Sequence, residues 1–435
     1  MNDALMVTLI MVIGMFGLMA LGVSVSVAIG LPASICLVLL QGNEQGIYTS
    51  AQKIYNGIDS FALLAIPLFV LAGAIMNNGG IATRLIDLAR AMTGRMPGSL
   101  MQTNVVANML FGSISGSALA GAAAVGSSMA PQQRKDGHDM HWAAAANVAS
   151  APSGMLIPPS NTLIVYALVS QASVGALFVA GYIPGILWGL SCAVIIWLYA
   201  RKKPELRGKG FPTFRVFLTI LWRALPSLSM VLIVIGGIIF GFFTPTEGAA
   251  VSVVVSAALA MIYRAVKIKD FPKILLQSTR TSSVVIFLIG LSSIMSFAMT
   301  YSRVPQLIGE WMTQITDSKI VFLLIMMVIL LIIGIPLDAT PAVLIFTPIF
   351  LPIAVEAYGI SPIHFGIMLV FNMCIAVISP PSAPVLFVGA KVAEVKVERV
   401  FKPLLWFYVS LIVMLLVIQF VPALSLWLPG LFGLI

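Results

Sequence analysis

The sequence predicts an all-α polytopic membrane protein. It consists of two inverted-topology repeats, each with five transmembrane helices and one re-entrant helical hairpin. Three observations predict this fold class: an apolar composition, a motif pattern that occurs twice, and positive charge confined to one side. The 435 residues are 60% hydrophobic and only 9% charged, whereas soluble domains carry about 25% charged residues. The chain therefore has apolar segments for many membrane spans and only short polar loops.

The apolar stretches predict ten transmembrane crossings and two hairpins, because about 20 apolar residues span a bilayer as a helix. Two stretches are too long for one helix and have small or turn residues at their centres, which predicts hairpins. An arm of 14 residues, such as 98–111, is about 21 Å long at 1.5 Å per residue, so it does not cross a hydrocarbon core of about 30 Å. The predicted crossings are 5–22, 24–41, 61–77, 142–171, 173–200, 216–243, 246–263, 281–301, 363–390 and 403–424, and the hairpins are 98–130 and 320–356.

The duplicated pattern combines a hairpin centre with a Pro-Pro-Ser break. The first copy has Phe-Gly-Ser-Ile-Ser-Gly-Ser at 111–117 and Pro-Pro-Ser at 158–160. The second has Gly-Ile-Pro-Leu-Asp-Ala-Thr-Pro at 334–341 and Pro-Pro-Ser at 380–382, a shift of 222 positions. Interrupted helices at matching places in two halves indicate a transporter binding site. We therefore predict that the crossings 142–171 and 363–390 are broken helices.

The positive charges indicate the topology. If both termini are periplasmic, 21 of the 24 Lys and Arg residues lie on the cytoplasmic side, the exceptions being Lys53, Arg303 and Lys319. This bias is typical of membrane topology, so the net charge of +9 does not indicate nucleic-acid binding. Each half has an odd number of crossings, which inverts the second repeat. We expect repeat 1 at 1–210, with its hairpin open to the cytoplasm, and repeat 2 at 211–435, with its hairpin open to the periplasm.

Two amphipathic segments also match at the 222-residue shift. Residues 81–94 and 303–316 carry apolar side chains at helical spacing with polar side chains among them. They are predicted to be interfacial helices on the membrane surface that brace a mobile unit. Ordinary connecting helices explain the same pattern equally well.

The hairpin centres and the Pro-Pro-Ser breaks supply the candidate binding residues. Non-helical backbone at membrane depth is tolerated where it lines a cavity. Hydroxyl and carbonyl oxygens there suit a small hard cation, and helix N-termini suit a carboxylate. Tight helix packing is the alternative explanation for the Gly and Ser residues. The oxygen donors are Ser113, Ser115, Ser117, Ser160, Asn161 and Thr162 in the first half, and Asp338, Thr340, Ser379 and Ser382 in the second.

Asp338 is the most informative single residue among these candidates. An ionisable side chain at membrane depth is costly and indicates function. The alternative is a carboxylate that caps its own hairpin helix. Glu247, in Thr-Pro-Thr-Glu at 244–247, is explained by a capping box. The three cysteines, Cys36, Cys192 and Cys374, are isolated in apolar spans and are expected to be small buried side chains.

Several function classes lack their residue patterns. The three histidines show no metal-ligand spacing, and there is no phosphate-binding loop, so ATP hydrolysis is not expected to drive this chain. No convergent acid, base or nucleophile set indicates an enzyme. Paired hairpins favour alternating access over a passive channel. An ion gradient is the natural energy source.

These motifs resemble the large membrane subunit, DctM type, of tripartite ATP-independent periplasmic (TRAP) transporters, and are also similar to its sialic acid group. The Pro-Pro-Ser break has Ser379 where the family usually has threonine, which keeps a hydroxyl. The matching stretches are 111–118, 157–161, 241–250, 334–338 and 379–384.

The resemblance implies partners, coupling ion and site residues. Such subunits work in the bacterial inner membrane with a small four-helix membrane subunit and a periplasmic binding protein. They import organic acids with sodium by an elevator motion. The implied sodium positions are Ser113, Ser115, Gly116, Ser117, Pro158, Ser160, Asn161, Gly334, Asp338, Thr340, Ser379, Pro381 and Ser382. The implied substrate-binding residues are Ser117, Ser160, Thr162 and Asp338.

The leading hypothesis is therefore a sodium-coupled importer subunit for an organic acid anion such as sialic acid or a C4-dicarboxylate. The alternative is a self-sufficient sodium/anion symporter of related architecture that needs no binding protein. Arg303 and Lys319 are, with Lys53, the only basic residues predicted on the periplasmic side, so they are candidate contacts for the binding protein. The sequence does not specify the acid, the number of sodium ions or the oligomeric state.

Overall fold

The computed structural model of the protein describes residues 3–208, 210–380 and 383–435. This part of the chain consists of helices and the turns between them. The α-helices are α1 (Asp3–Ala20), α2 (Val25–Gln41), α3 (Asn43–Ile58), α4 (Ala65–Asn78), α5 (Ile81–Thr93), α6 (Ser99–Ser115), α7 (Ala118–Lys135), α8 (Met140–Ser150), α9 (Asn161–Ser170), α10 (Val174–Ala200), α11 (Phe214–Ile239), α12 (Pro245–Ile262), α13 (Phe271–Tyr301), α14 (Val304–Ile315), α15 (Lys319–Gly334), α16 (Ala339–Glu356), α17 (Pro362–Ala376), α18 (Pro384–Val392), α19 (Val397–Phe420) and α20 (Ala423–Leu431).

The helices form two packed groups. The scaffold bundle contains α1–α4 and α11–α13, which pack mainly on one another. The hairpin bundle contains α6–α10 and α15–α20, with hairpin 1 (α6 and α7) and hairpin 2 (α15 and α16) inside it. α5 and α14 touch both groups: α5 packs on α6 and α11, and α14 packs on α16 and α1. The two amphipathic segments therefore connect the bundles, as bracing helices would.

The helix bounds repeat at the 222-residue shift. Shifting α5 by 222 gives 303–315, and α14 spans Val304–Ile315. Shifting α10 gives 396–422, and α19 spans Val397–Phe420. The broken helices match too, because α8 and α17 start at Met140 and Pro362. The division into two repeats and their inverted orientation remain predictions that these bounds support.

A close backbone contact recurs in both halves. A Cβ atom on Gly112 would lie 2.3 Å from the Gly154 Cα atom. At the equivalent positions, a Cβ on Gly334 would lie 2.8 Å from the Ala376 Cβ. Only glycine permits this approach of a hairpin arm to the helix behind it. The duplicated glycines therefore determine how closely each hairpin packs against the broken helix behind it.

Equivalent positions of the two halves also meet. The Cys374 thiol lies 3.6 Å from the Pro152 carbonyl oxygen, and 152 shifted by 222 is 374. If the two halves are related as predicted, a residue that touches its own equivalent lies close to the axis between them. This contact, between the two broken helices, therefore supports the predicted relation.

The predicted breaks are present where the structure describes them. In the first, α8 ends at Ser150, a short 3₁₀ segment spans Ala151–Met155, and α9 begins at Asn161. In the second, α17 ends at Ala376 and α18 begins at Pro384. The 158–160 break includes a cis Pro158–Pro159 peptide. Pro381 and Ser382 lie outside the described residues.

Three elements differ from the sequence prediction. α3 was expected to be a loop, but its Asn, Gln and Tyr residues form an amphipathic helix that packs on α2 and α13, with the Lys53 ammonium 3.9 Å from the Phe297 ring centroid. α13 begins ten residues before the predicted crossing at 281, and α20 follows the last predicted crossing. For α3 and the first ten residues of α13, polar residues lie in a helix that hydropathy alone does not detect.

The number of crossings remains a prediction. Within the described residues, eight helical segments are long and apolar enough to span a membrane, among them the hairpin arm Ala339–Glu356. The predicted crossing 24–41 appears as the shorter apolar helix Val25–Gln41. Cys36, Cys192 and Cys374 are free and buried, as expected. The capping box of α12 is confirmed, since the Thr244 and Glu247 side chains bond each other's backbone N–H at 3.3 and 2.8 Å.

Candidate functional site

A cavity of about 300 Å³ lies where both hairpin tips meet the scaffold bundle. Hairpin 1 and α9 supply one wall, hairpin 2 and α18 a second, and α4 with α13 a third. The polar residues among those that line it are Asn77, Ser115, Ser117, Asn161, Thr162, Gln277, Ser278, Thr281, Asp338 and Thr340. This tip cavity brings residues 220 positions apart in sequence into one site.

The tip of hairpin 1 presents both a helix end and a helix start to the cavity. α6 ends at Gly116, which has φ +59° and whose N–H donates to the Gly112 carbonyl at 2.9 Å. α7 begins after Ser117, whose hydroxyl accepts a 3.4 Å bond from the Ala120 N–H. Among the described residues, the buried Ser115 hydroxyl has no hydrogen-bond partner. A polar atom left unpaired at this depth marks a position that a ligand can satisfy.

The first Pro-Pro-Ser break lies directly against this tip. A Cβ on Gly116 would lie 2.9 Å from the Pro159 carbonyl oxygen and 3.3 Å from the Asn161 N–H nitrogen. The predicted proximity of hairpin centre and break is therefore present, and it places Asn161 and Thr162 at the cavity. Backbone carbonyls, an amide and hydroxyls converge here, which is a hard-oxygen environment.

The tip of hairpin 2 contributes the only charge of the cavity among the lining residues. Asp338 is the N-cap of α16, and its carboxylate accepts a 2.9 Å bond from the Ala339 N–H. The capping explanation is therefore confirmed. The carboxyl group also faces the cavity and remains accessible from it, so capping does not withdraw it from the site.

Five predicted site residues do not line the cavity: Ser113, Pro158, Ser160, Gly334 and Ser379. Pro381 and Ser382 fall outside the described residues. The serine hydroxyls form hydrogen bonds to nearby backbone carbonyls: Ser113 donates to the Leu110 carbonyl and Ser379 to the Ile375 carbonyl, both at 2.8 Å. Ser160 caps α9 and donates to the Met155 carbonyl. Gly334 and Pro158 offer no side-chain oxygen. In this conformation the hydroxyls of Ser113, Ser160 and Ser379 are therefore bonded within the chain, and their predicted role at the site stays a prediction.

Sequence reasoning missed the scaffold contribution to the cavity. Asn77 on α4 and Gln277, Ser278 and Thr281 on α13 line it. Gln277 and Ser278 lie between the predicted crossings 246–263 and 281–301, so residues 264–280 were expected to be a cytoplasmic loop. The signal that could have found them is the run of polar residues directly before the second of these crossings. Among the described lining residues, none is Lys or Arg. An anion bound here would meet amides, hydroxyls and helix N-termini.

Comparison with known proteins gives a consistent result. The sequence profile of "Tripartite ATP-independent periplasmic transporter, DctM component" matches residues 12–424. The chain is 49% identical to the uncharacterized protein YgiK of Salmonella typhimurium, over 98% of both chains. It is 38% identical to the C4-dicarboxylate TRAP transporter large permease protein DctM of Pseudomonas aeruginosa, over 94% of this chain and 95% of that one. It is 33% identical to the sialic acid TRAP transporter large permease protein SiaM of Vibrio cholerae, over 97% and 98%.

A solved structure shares the fold. The YdaH transporter of Alcanivorax borkumensis superposes with a TM-score of 0.66 over 100% of both chains, at 14% sequence identity. The relatives with functional names are transporter permeases rather than enzymes. With a profile match over nearly its whole length, the chain belongs to the DctM family of TRAP transporter large permease subunits and is a multi-pass membrane protein.

Proposed function

We propose that this subunit imports an organic acid anion coupled to sodium, and that the tip cavity is its binding site. The observation that carries the proposal is the convergence of both hairpin tips, with Asp338 and the unpaired Ser115 hydroxyl, on one cavity at the boundary with the scaffold bundle. Alternating access needs a site at the interface between units that move relative to each other. The inner membrane, with both termini in the periplasm, is the proposed location.

The donor chemistry supports a hard monovalent cation at the tips. Ser115 and Ser117 offer hydroxyl oxygens, and Asp338 offers a negative charge in the same cavity. A cation beside Asp338 would offset the cost of holding a carboxylate at membrane depth. Sodium is the proposed ion because it suits oxygen ligands and because its gradient supplies the energy that ATP does not.

The cavity also favours a small substrate. Its volume of about 300 Å³ is at the lower limit for small-molecule pockets. A carboxylate can bind at the N-terminus of α7 or α9, since residues of both helix starts line the cavity and a helix N-terminus favours an anion. We propose a small carboxylate such as a C4-dicarboxylate as substrate class, with sialic acid as the larger candidate that relatives suggest.

The proposed cycle is an elevator motion of the hairpin bundle against the scaffold bundle. α5 and α14 touch both bundles and would act as flexible connections. The proposed partners are a small four-helix membrane subunit and a periplasmic binding protein that delivers the acid. Arg303 and Lys319 are both exposed at the ends of α14 and α15, so they are the proposed contacts for the binding protein. Charge reversal at both positions should weaken uptake at low binding-protein concentration.

Reconstitution tests the function. Proteoliposomes with this subunit and its small subunit should accumulate a labelled acid only with external sodium and the cognate binding protein. A panel of C4-dicarboxylates and sialic acid, first tested for binding to that periplasmic protein, identifies the substrate. Sodium-independent uptake would contradict the coupling. Sodium-driven uptake without any binding protein would support a self-sufficient symporter instead.

A further inference from the structure

A stripe of buried polar side chains runs along the inside of α6. Asn104, Asn108 and Ser115 follow one another at spacings of four and seven residues, which places them on one face of the helix. Their exposed fractions are 1%, 0% and 8%. Among the described residues, both side-chain atoms of Asn104, the Asn108 Oδ1 and the Ser115 Oγ have no hydrogen-bond partner. The stripe is therefore buried, and four of its polar side-chain atoms lack a hydrogen-bond partner.

The orientation of the Asn108 amide is fixed by its surroundings. Its Nδ2 donates to the Ser150 Oγ at 2.8 Å and to the Asn147 Oδ1 at 3.1 Å, and the Asn147 carbonyl lies 3.3 Å away. Three oxygens surround this atom, so it must be the nitrogen and not the oxygen. The unpaired Oδ1 therefore points the other way, toward α7.

A glycine lies directly beside that oxygen. Gly121 on α7 faces Asn108, and a Cβ built there would lie 3.1 Å from the Asn108 Oδ1 and 3.8 Å from the Ala151 carbonyl oxygen. Because Gly121 has no side chain, none from this position covers the Asn108 Oδ1, which has no hydrogen-bond partner among the described residues. Leaving a buried acceptor unsatisfied costs about 1–3 kcal/mol, so a ligand that pairs with it stabilises the hairpin.

Hairpin 2 shows that the fold does not need this polarity. The positions equivalent to Asn104, Asn108, Ser115 and Gly121 at the 222-residue shift are Met326, Leu330, Leu337 and Val343. All four are buried apolar residues. The same helix pair is thus packed with hydrocarbon in one half and with amides and a glycine in the other. The polarity of hairpin 1 is therefore not required for the packing of such a hairpin.

The stripe lies between two cavities. Ser115, at one end of α6, lines the tip cavity. Ser99 and Leu100, at the other end, line a second cavity of about 1020 Å³, the base cavity, between α5, α7 and residues 205–208 and 210–212. The 17 residues of α6 span about 25 Å at 1.5 Å per residue. Polar residues that cross membrane depth in this way mark ion pathways.

We propose that Asn108, with Asn104, forms a buried sodium position inside hairpin 1, on the route from the tip cavity to the base cavity. Its ligands are neutral oxygens: the Asn108 Oδ1 and the amide of Asn104. The proposal rests on sodium coupling in the proposed function. It adds an ion position two helical turns below the tip, at residues that the tip site does not include.

The sharpest test is Gly121→Ala, which places a methyl group 3.1 Å from the Asn108 Oδ1 and removes no polar atom. A second variant, Asn108→Leu, removes the amide and installs the hairpin 2 residue. The matched control is Gly236→Ala on α11, where a Cβ would meet nothing within 4 Å. The reconstituted transporter complex is measured in two ways: half-saturating sodium for uptake, and ²²Na⁺ binding to the purified complex without substrate.

Both hairpin variants should raise half-saturating sodium about tenfold and weaken ²²Na⁺ binding, whereas Gly236→Ala should remain within about twofold of the unmodified protein. Unchanged sodium binding in a folded Gly121→Ala complex would overturn the proposal. If uptake by the unmodified protein is independent of sodium, the proposed function itself fails. The two failures are therefore distinguishable.

Discussion

Asp338 has two roles at one position, as a helix cap and as the charged wall of the tip cavity. Replacement by asparagine separates them, because asparagine caps a helix as well as aspartate does but carries no charge. We expect Asp338→Asn to assemble normally with the small subunit and to lose at least about 99% of sodium-driven uptake. Uptake into proteoliposomes and co-purification of the small subunit measure the two effects.

The control for this change is Glu356→Gln, which removes an exposed carboxylate at the opposite end of the same helix. Its uptake should match that of the unmodified protein. If Asp338→Asn transports normally, the carboxylate is a cap alone and has no part in ion coupling.

Two serines at the site differ in how their hydroxyls are used. The Ser115 hydroxyl is unpaired among the described residues, whereas the Ser160 hydroxyl caps α9 and bonds the Met155 carbonyl. Ser115→Ala should therefore retain thermal stability but lower sodium affinity, since it removes an oxygen that only a ligand uses. Ser160→Ala should cost about 1 kcal/mol of stability through the lost cap.

Thermal unfolding in detergent, with and without sodium, measures both effects. In the unmodified protein sodium should raise the unfolding temperature, because a ligand that binds the folded state stabilises it. Ser115→Ala should lose most of that sodium-dependent increase. If Ser115→Ala instead destabilises the protein without sodium, its hydroxyl has a structural partner.

At the scale of helices, the duplicated glycines predict unequal effects of the same substitution. A methyl group on Gly112 would overlap the Gly154 backbone at 2.3 Å, while one on Gly334 would meet the Ala376 methyl group at 2.8 Å. Neither neighbour can rotate away, because the alanine methyl carbon is fixed to its own backbone, so both substitutions push the helices apart. The overlap is deeper at Gly112, so Gly112→Ala should displace hairpin 1 further and abolish uptake. Gly334→Ala should leave a measurable fraction.

Yield and size-exclusion profiles accompany the uptake measurement, with Gly236→Ala as the substitution that meets no neighbour. Equal loss in the Gly112 and Gly334 variants would mean that the two hairpins tolerate displacement alike. In that case the depth of the overlap, 2.3 Å against 2.8 Å, does not determine the outcome.

Most helices could be predicted because lipid imposes simple rules on their sequences. Apolar runs, breaks at Pro-Pro-Ser and the 222-residue shift located both hairpins within a few residues. α3 was missed because its polar face, with Gln45, Gln52 and Asn56, resembles a loop by hydropathy, although tertiary packing on α13 makes it a helix. The start of α13 was missed for the same reason.

The site was predictable only in part. Residues at or next to chain breaks, such as Ser117, Asn161 and Asp338, are visible from sequence because the backbone beside them must be non-helical. Whether a hydroxyl is free or bonded, as for Ser115 against Ser113, depends on side-chain geometry that no pattern encodes. The wall from Gln277 and Thr281 depends on how the two bundles pack, and neither bundle's sequence alone specifies that.

For the whole molecule, the distribution of charge predicts which side each loop faces. Lys202, in the 201–207 linker, and Lys319, at the start of hairpin 2, are both exposed lysines. The positive-inside rule assigns Lys202 to the cytoplasm with most other basic residues, which leaves Lys319 in the periplasm. Because Cys36, Cys192 and Cys374 are buried, an added surface cysteine should dominate labelling by a membrane-impermeant maleimide.

Lys319→Cys should react in intact cells, and Lys202→Cys only after the inner membrane is broken. The unmodified protein is the background control, and each variant should retain uptake. This pair also tests the inverted relation, since hairpin 2 must open to the periplasm if its first residue lies there. Labelling of Lys202→Cys in intact cells would reverse the orientation, and with it the assignment of hairpin 1 and its polar stripe to the cytoplasmic side.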